Sequence, residues 1–257
     1  MTRGPDYDDF NAFFRAGAFG NYDIFTARSY ADFVKRNDID LAHAIAVREE
    51  GRMLGALAFG VRGTRAWFGL IGVDPDRRRE GLGARMLTNA IAAVQAQGVR
   101  TIELEVSQRN AAPVALCTGF GFKESGELLV WAREARSGDD ALAAARRFPE
   151  PAVRAITPAL SACWQREPRS IARAGPVHLL SIPGAYAFVR TGGEFASILD
   201  ASAIDVPRAR ELLRELDARV PHDLTLNNEP ANSALGQALR DGGWRVVERQ
   251  YRMVRSL

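Results

Sequence analysis

Apolar and polar positions divide the chain into two runs of predicted strands and helices. In the first run, apolar residues that recur every three or four positions predict helices, and short apolar stretches bounded by turn residues predict strands. The predicted elements are helices at 8–18 and 29–36, strands at 43–48, 53–61 and 66–73, a helix at 81–97, a strand at 101–106, a helix at 111–118, and strands at 122–124 and 127–132. The long helix has an apolar stripe formed by Leu82, Met86, Leu87, Ala90, Ile91 and Val94.

A proline-interrupted segment separates the two runs. Prolines at 149, 151, 158 and 168 break helical stretches, which predicts a connector. The elements predicted beyond it are strands at 177–182, 185–189 and 195–199, a helix at 207–218, a strand at 223–227, a helix at 231–240, and strands at 245–248 and 251–255. We therefore expect a first domain at 1–135, a helical connector at 136–176 and a second domain at 177–257.

The ends of the two runs share one order of elements: strand, asparagine, short helix, glycine followed by an aromatic residue, and two strands. They align without gaps at an offset of 122 residues, which matches Leu104 with Leu226 and Gly121 with Gly243. Identity is low, so the shared order, more than the matched letters, indicates an internal duplication. The expected fold class is α/β (α+β), with two domains that each contain a mixed, mostly antiparallel sheet flanked by helices.

Composition excludes several classes of function. The chain has 257 residues, 47% hydrophobic and 25% charged, and a net charge of +3. These values are ordinary for a globular protein. Lys35 and Lys123 are the only lysines, so the arginine excess resembles a compositional bias. No nucleic-acid-binding signature accompanies the arginines at 77–79, and we expect no nucleic-acid partner.

Metal, disulfide and membrane chemistry also find no support in the sequence. Cys117 and Cys163 are far apart and the three histidines are scattered, so neither a disulfide framework nor a metal site is predicted. The acidic N-terminus differs from a signal peptide, and no apolar run approaches the about 18 residues of a membrane span. A cytoplasmic location is the expectation.

The stretch from Val73 to Ala84 contains the most informative chemistry. It joins a strand to the long helix, and glycines at 81 and 83 let a ligand approach the backbone closely. A helix N-terminus offers unpaired N–H groups and partial positive charge, which suit a pyrophosphate. No Gly-Lys-Ser/Thr follows and the third glycine of a dinucleotide loop is missing. Taken alone, these residues are more typical of a glycine-containing helix start with exposed arginines.

Motifs spaced more widely along the chain resemble those of a known family. Val-x-Pro at 73–75 followed by Arg-x-x-Gly-x-Gly at 78–83 resembles the acetyl-CoA pyrophosphate loop of the GNAT superfamily. Asn110, Leu116 and Gly121-Phe122 resemble that family's second signature, and the resemblance covers roughly residues 40–133. It implies an acetyl-CoA-dependent N-acyltransferase acting on an amine, without a metal. The implied cofactor-binding residues are the backbone of Ile71, Gly72 and Val73, the loop residues Arg78, Arg79, Glu80, Gly81, Leu82, Gly83 and Ala84, and the side chain of Asn110.

Candidates for proton transfer are less specific. Glu103 and Glu105 alternate on one predicted strand and therefore share a face. Glu105 stands five residues before Asn110, where some GNAT members have a catalytic glutamate, so it is the first candidate base and Glu103 the second. The alternatives are that the pair lies at a solvated sheet surface or that it binds a cationic substrate. Where the family often has a tyrosine acid, this chain has Cys117. Its thiol is a candidate acid with a shorter side chain, although cysteine on a helix is more typical of a small buried residue.

The second half lacks the phosphate loop. After Asp200 the chain continues with Ala201-Ser202-Ala203-Ile204-Asp205, and no Arg-x-x-Gly-x-Gly is present. The second copy is therefore expected to be a degenerate GNAT-like domain. The acceptor would be a small-molecule or peptide amine, and the chain a monomer with two pseudo-equivalent domains or a homodimer. The alternative function is a non-enzymatic acyl-CoA-binding or regulatory protein. Acceptor identity and acyl-chain length stay open.

Overall fold

The chain contains two compact units, and neither is a continuous segment. The structure, a computed structural model, describes residues 9, 13, 27–137, 140–157, 163–192 and 195–257. The first unit contains the described residues up to Val106, together with Asn110–Ser125 and Arg252–Leu257. The second contains Ser107–Arg109 and the described residues of Gly126–Tyr251. The helix predicted at 8–18 lies outside the described residues except for 9 and 13.

The first unit is built around a mixed sheet. Its elements are α1 (Ala27–Arg36), β1 (Ile45–Glu49), β2 (Arg52–Arg62), β3 (Arg65–Val73), α2 (Leu82–Ala96), β4 (Thr101–Ser107, to Val106 in this unit), α3 (Ala111–Gly119) and the end of β10 (Arg245–Ser256). The strand order is β1-β2-β3-β4, followed by the C-terminal part of β10. β1, β2 and β3 pair antiparallel, as the predicted meander requires, and β3 pairs parallel with β4.

Helix α2 packs on this sheet through the stripe that its sequence predicts. The buried residues of α2 are Leu82, Met86, Leu87, Ala90, Ile91 and Val94, which confirms the predicted set. They contact β1, β2 and β3. The helix ends before Gly98, whose φ of 78° lies in the left-handed region that glycine adopts without strain. The apolar face of α2 thus fixes the position of its N-terminus at the end of β3.

The second unit repeats this arrangement. Its elements are β5 (Lys123–Arg133, from Gly126 in this unit), α4 (Glu150–Ile156), α5 (Pro168–Arg173), β6 (His178–Ile182), β7 (Ala185–Gly192), β8 (Phe195–Ala203), α6 (Val206–Arg219), β9 (Asp223–Pro230), α7 (Ala234–Asp241) and the first part of β10. The strand order is β5-β9-β8-β7-β6, with the first part of β10 beside β5. β6, β7 and β8 form an antiparallel meander, and β8 pairs parallel with β9.

Alternating residues of β7 bury two faces of the second sheet. Ala187 and Val189 belong to a core that includes Leu212 and Leu216 of α6. Tyr186 and Phe188 belong to a second core with Val153 of α4 and Ile171 of α5. The described part of the segment predicted as a connector therefore supplies helices that cover one face of this sheet.

Two predicted pairs of short strands are each a single long strand. β5 runs through Ser125 and Gly126, which separate the first predicted pair, and β10 runs through Arg249 and Gln250, which separate the second. The Gly126 φ is not positive, so this glycine continues the strand instead of turning it. Helix α7 also starts later than predicted, because the hydroxyl of Ser233 accepts a hydrogen bond from the Gly236 N–H at 2.7 Å and caps the helix there.

Candidate active site

Strands β3 and β4 separate soon after they begin to pair. Their parallel register contains Arg65–Thr101, Ala66–Ile102 and Trp67–Glu103, and no further registered pair follows. β3 nevertheless continues to Val73, paired on its other side with β2. The β4-facing backbone of Ile71, Gly72 and Val73 is therefore outside the β3–β4 ladder. The two strands therefore separate beyond Trp67 and Glu103.

The loop between β3 and α2 is held by short-range contacts. The Asp74 carboxylate accepts a hydrogen bond from the Asp76 N–H at 3.0 Å, which closes a short helical turn at Pro75–Arg77. The Arg77 guanidinium donates to Glu80 at 2.9 Å and also pairs with Glu49. This guanidinium holds the pKa of the exposed Glu49 carboxyl below its ordinary value. The Glu80 side chain is thus engaged within the loop, and its backbone is the group available to a ligand.

The start of helix α2 has no side-chain cap. Gly81 occupies the N-cap position with a φ of 78°, and no side chain accepts a bond from the first helical N–H groups. Arg78 and Arg79 are exposed beside it, and Arg79 also has a positive φ of 68°. An uncapped helix N-terminus next to two guanidinium groups is chemically suited to a pyrophosphate.

The two glycines of the loop have different surroundings. A Cβ built on Gly81 meets nothing within 4 Å, whereas one built on Gly83 would lie 3.0 Å from Cδ2 of Leu116. Gly83 therefore permits close packing of α2 against α3, and a side chain there would disturb that packing before it reached any ligand. The sequence predicts that both glycines let a ligand approach the backbone. In the structure only Gly81 has open space around its Cβ position. Leu82 is buried in the core, and Ala84 lies half-buried one residue after Gly83.

Helix α3 presents the second signature. Asn110 occupies its N-cap position, is exposed, and makes no side-chain capping hydrogen bond. Cys117 lies on the same helix and is 3% exposed. Burial raises the pKa of its thiol to about 11, so the thiol stays protonated at neutral pH. A buried, protonated thiol is a poor nucleophile.

The two candidate carboxylates have different partners. Glu103 is buried, and its two oxygens accept hydrogen bonds from Arg65 at 3.1 Å and from Arg252 at 3.0 Å. Glu105 is half-buried and accepts a 2.7 Å bond from the Trp67 indole N–H. Glu103 is thus enclosed by two arginines. Sequence analysis did not find Arg252, because 149 residues separate it from Glu103.

The second unit contains an equivalent pair of separating strands. β8 and β9 are registered from Phe195–Asp223 to Ile198–Leu226, and both strands continue beyond that point. Ala201 lies six residues after the first registered residue of β8, as Ile71 does in β3. We call the gap between the separating strands the wedge. The first wedge lies beyond the Trp67–Glu103 pair and the second beyond the Ile198–Leu226 pair. The two wedges can be compared position by position.

A buried arginine lies in the second wedge. The Arg166 side chain donates to the Asp200 carboxylate at 2.8 Å, to the Asn228 carbonyl at 3.1 Å, to the Ala201 carbonyl at 2.7 Å, and to Glu229. It therefore bonds to both β8 and β9. Sequence analysis missed this residue, which lies in the proline-interrupted segment and resembles the other arginines there.

Two observations concern metal-ligating clusters and membrane-spanning helices within the ranges that the structure describes. No group of three or more metal-ligating side chains is found among those residues. None of the helices described is long and apolar enough to cross a membrane.

Comparison with known proteins finds a family model that matches the first part of the chain. Residues 7–122 match the model of the Acetyltransferase (GNAT) family. This part of the chain is therefore similar to GNAT acetyltransferases. The matched residues include both β3 and β4, the loop before α2, and Asn110. Acetyltransferases of the GNAT family use acetyl-CoA as the acyl donor.

A curated GNAT relative matches a short part of the chain. The ribosomal protein bS18-alanine N-acetyltransferase of Escherichia coli (strain K12) is 46% identical over 55 residues. This match spans 21% of the chain and 37% of the relative's length. The relative's acceptor therefore does not transfer to this chain on identity alone.

Solved GNAT structures extend the likeness to the full fold. A GCN5-related N-acetyltransferase from Sphaerobacter thermophilus superposes with a TM-score of 0.69, over all of this chain and 95% of the other, at 14% identity. A tandem GNAT protein from the clavulanic acid biosynthesis pathway gives 0.57 over 88% of this chain and 87% of the other, also at 14% identity. These likenesses support the α/β fold with two GNAT-like units.

Proposed function

We propose that the protein is an acetyl-CoA-dependent N-acetyltransferase with one donor site, in the first unit, and that Glu105 is its general base. The observation that carries the proposal is the separation of β3 from β4 directly beside an uncapped helix N-terminus. The acceptor is a small-molecule or peptide amine.

The residues around the wedge fit the donor. Backbone groups of Ile71, Gly72 and Val73 lie outside the ladder with β4 and would pair with the amide groups of the pantetheine arm. Asn110 makes no capping bond, so its amide would contact the same arm. The loop from Arg78 to Ala84 would hold the pyrophosphate at the start of α2.

Proton transfer needs a carboxylate near the wedge. Glu105 lies on β4, two residues beyond the last registered pair with β3. We assign Glu105 the proton that the acceptor ammonium group loses, taken directly or through a water, so that a neutral amine attacks the thioester carbonyl. The C–S bond then breaks, and the CoA thiolate takes a proton from a water or from the product nitrogen. Both Glu103 oxygens are occupied by arginine, so Glu103 anchors the sheet in this scheme. Acetyl-CoA supplies the activated acyl group, and the chain orients it and excludes water.

The buried arginine of the second unit supports a single donor site. Arg166 donates to the Ala201 carbonyl, the counterpart of Ile71, whose backbone we assign to the donor in the first unit. The guanidinium thus makes in the second wedge the type of backbone contact that the pantetheine arm would make in the first. Asp205 rather than glycine caps the following helix, and its carboxylate accepts from the Arg208 N–H at 2.8 Å.

The test compares two glycines that flank helix α2. Gly81 and Gly98 both have a φ of 78°, and a Cβ on either meets nothing within 4 Å. Alanine at either position therefore costs a similar backbone strain, about 1–3 kcal/mol. By calorimetry, the unmodified chain should bind about one acetyl-CoA. Gly81→Ala should weaken binding at least about tenfold relative to Gly98→Ala, since only its methyl group projects into the loop.

Turnover separates an enzyme from a non-enzymatic binder. Release of CoA thiol would be followed with a panel of peptide N-termini and small primary amines. We expect transfer to at least one class and a loss of about 10²–10⁴ in rate for Glu105→Gln. Equal acetyl-CoA affinity of Gly81→Ala and Gly98→Ala would contradict the donor site. Binding without transfer to any amine would leave an acyl-CoA-binding protein instead.

A further inference from the structure

The side chain of Trp67 connects β3 to β4 where their backbone pairing ends. Trp67 and Glu103 form the last registered pair of the two strands. The next residue of β4 on this face is Glu105, and the Trp67 indole N–H donates to its carboxylate at 2.7 Å. Trp67 is 1% exposed, and its ring lies 5.9 Å from that of Phe33 on α1. The indole is therefore enclosed and aimed at a single carboxylate.

Gly69 makes room for this orientation of the indole. A Cβ built on Gly69 would lie 2.2 Å from Cζ3 and 2.4 Å from Cη2 of Trp67. The indole therefore lies across the backbone of the residue two positions further along the same strand. The φ of Gly69 is not positive, so the backbone does not require glycine here. The ring of Trp67 is therefore the structural reason that residue 69 is a glycine.

We infer that Trp67 is a positioning residue for Glu105, and that Gly69 is needed because the indole lies over it. This inference rests on the proposed role of Glu105 as general base. An indole N–H donates but does not accept or titrate, so it orients a carboxylate without competing for the transferred proton. A hydrogen bond to a carboxylate also favours its charged form, the form in which a base accepts a proton.

The decisive variant is Trp67→Phe, with Trp131→Phe as its matched control. Both tryptophans are 1% exposed, but Trp131 Nε1 is buried with no hydrogen-bond partner within the described residues. Both variants lose the same ring volume, and only Trp67→Phe removes a bond to a carboxylate. We expect kcat to fall about 10- to 100-fold in Trp67→Phe, with KM for acetyl-CoA unchanged. The acidic limb of its kcat/KM profile should move to higher pH. Trp131→Phe should retain the activity and the pH profile of the unmodified chain.

A double-variant cycle separates positioning from general damage. If Trp67 acts through Glu105, adding Trp67→Phe to Glu105→Gln should cause no further loss of kcat. Losses that multiply, or an unshifted pH profile in Trp67→Phe, would overturn the inference. The Gly69→Ala variant retains the indole but displaces it from Glu105, so this variant should reproduce the pH profile of Trp67→Phe. It takes over the test if Trp67→Phe does not fold.

The outcomes are distinguishable from a failure of the proposed function. If Glu105→Gln retains full turnover, the role of Glu105 itself is wrong and the inference fails with it. If Glu105→Gln is impaired but Trp67→Phe behaves like Trp131→Phe, the proposed function stands and only the positioning role of Trp67 is rejected.

Discussion

Replacing Arg166 with methionine should destabilise the second unit far more than a single surface arginine does. The guanidinium is fully enclosed and donates to Asp200, to Glu229 and to the carbonyls of Asn228 and Ala201. Methionine has a similar length but no donors. The variant would therefore leave two buried carboxylates and two carbonyl groups without these bonds.

The magnitude follows from the burial of the partners. Removing one member of a buried ion pair typically costs about 3–5 kcal/mol, because the other charge stays in a medium of low dielectric constant. The cost is tempered here by the Tyr186 hydroxyl, which donates to Asp200 at 2.7 Å, and by the Ser233 hydroxyl, which donates to Glu229. These donors keep the carboxylates partly satisfied, so we expect a value near the lower end of that range.

Hydrogen exchange measures this cost in the second unit alone. Amide protons of β8 and β9 that exchange through opening of the unit should exchange about 10²–10³ times faster in Arg166→Met. The control is Arg154→Met, which removes an exposed guanidinium paired with Glu150 at 2.5 Å on α4. Exposed pairs contribute only about 0–1 kcal/mol, so that variant should exchange nearly as the unmodified chain does.

The pH dependence gives an independent check. Burial raises the pKa of Asp200, and the Arg166 guanidinium opposes this rise. Without the guanidinium the folded-state pKa of Asp200 rises further above its unfolded value. A carboxyl whose pKa is raised in the folded state lowers the free energy of unfolding at pH values above that pKa. This loss of stability is relieved as the pH falls through the folded-state pKa. The deficit of Arg166→Met should therefore be largest at neutral pH and shrink as the pH is lowered. Protection equal to that of Arg154→Met at neutral pH would refute the reasoning.

Two further predictions concern the first unit. Cys117→Ala should lower kcat less than tenfold, against about 10²–10⁴ for Glu105→Gln, because the thiol is buried and stays protonated. An inactive Cys117→Ala beside an active Glu105→Gln would reverse these roles. A chain ending at Tyr251 should lose turnover, measured as CoA release, because it lacks the strand that follows β4 and the Arg252 bond to Glu103. Full activity of that shortened chain would show that the C-terminal strand is dispensable.

Local patterns predicted much of the first unit. The six buried residues of α2, the three-stranded meander, and the helix start after the loop follow from apolar spacing and from glycine positions. These features depend on residues within a few positions of one another, so the sequence contains all that decides them. The repeated order of strand, helix and strand was visible for the same reason.

Tertiary structure alone decided how the candidate site is completed. Arg252 reaches Glu103 across 149 residues, and the Trp67 indole reaches Glu105 across 38. No local pattern marks such pairs, because their proximity depends on which strands become neighbours. The continuous course of β5 and β10 belongs to the same class. Gly126 favours a turn locally in β5, yet pairing with neighbouring strands keeps the backbone of both strands extended.

The second unit shows the same division between sequence and structure. The missing phosphate loop after Asp200 is evident from the letters of the chain. The guanidinium that lies between β8 and β9 is not evident from the sequence, because Arg166 stands in a proline-interrupted segment among other arginines. Sequence shows what a segment lacks, because missing residue types are visible directly. Which side chain occupies the space between β8 and β9 depends on how distant segments pack. That packing is determined only when the whole sheet is formed.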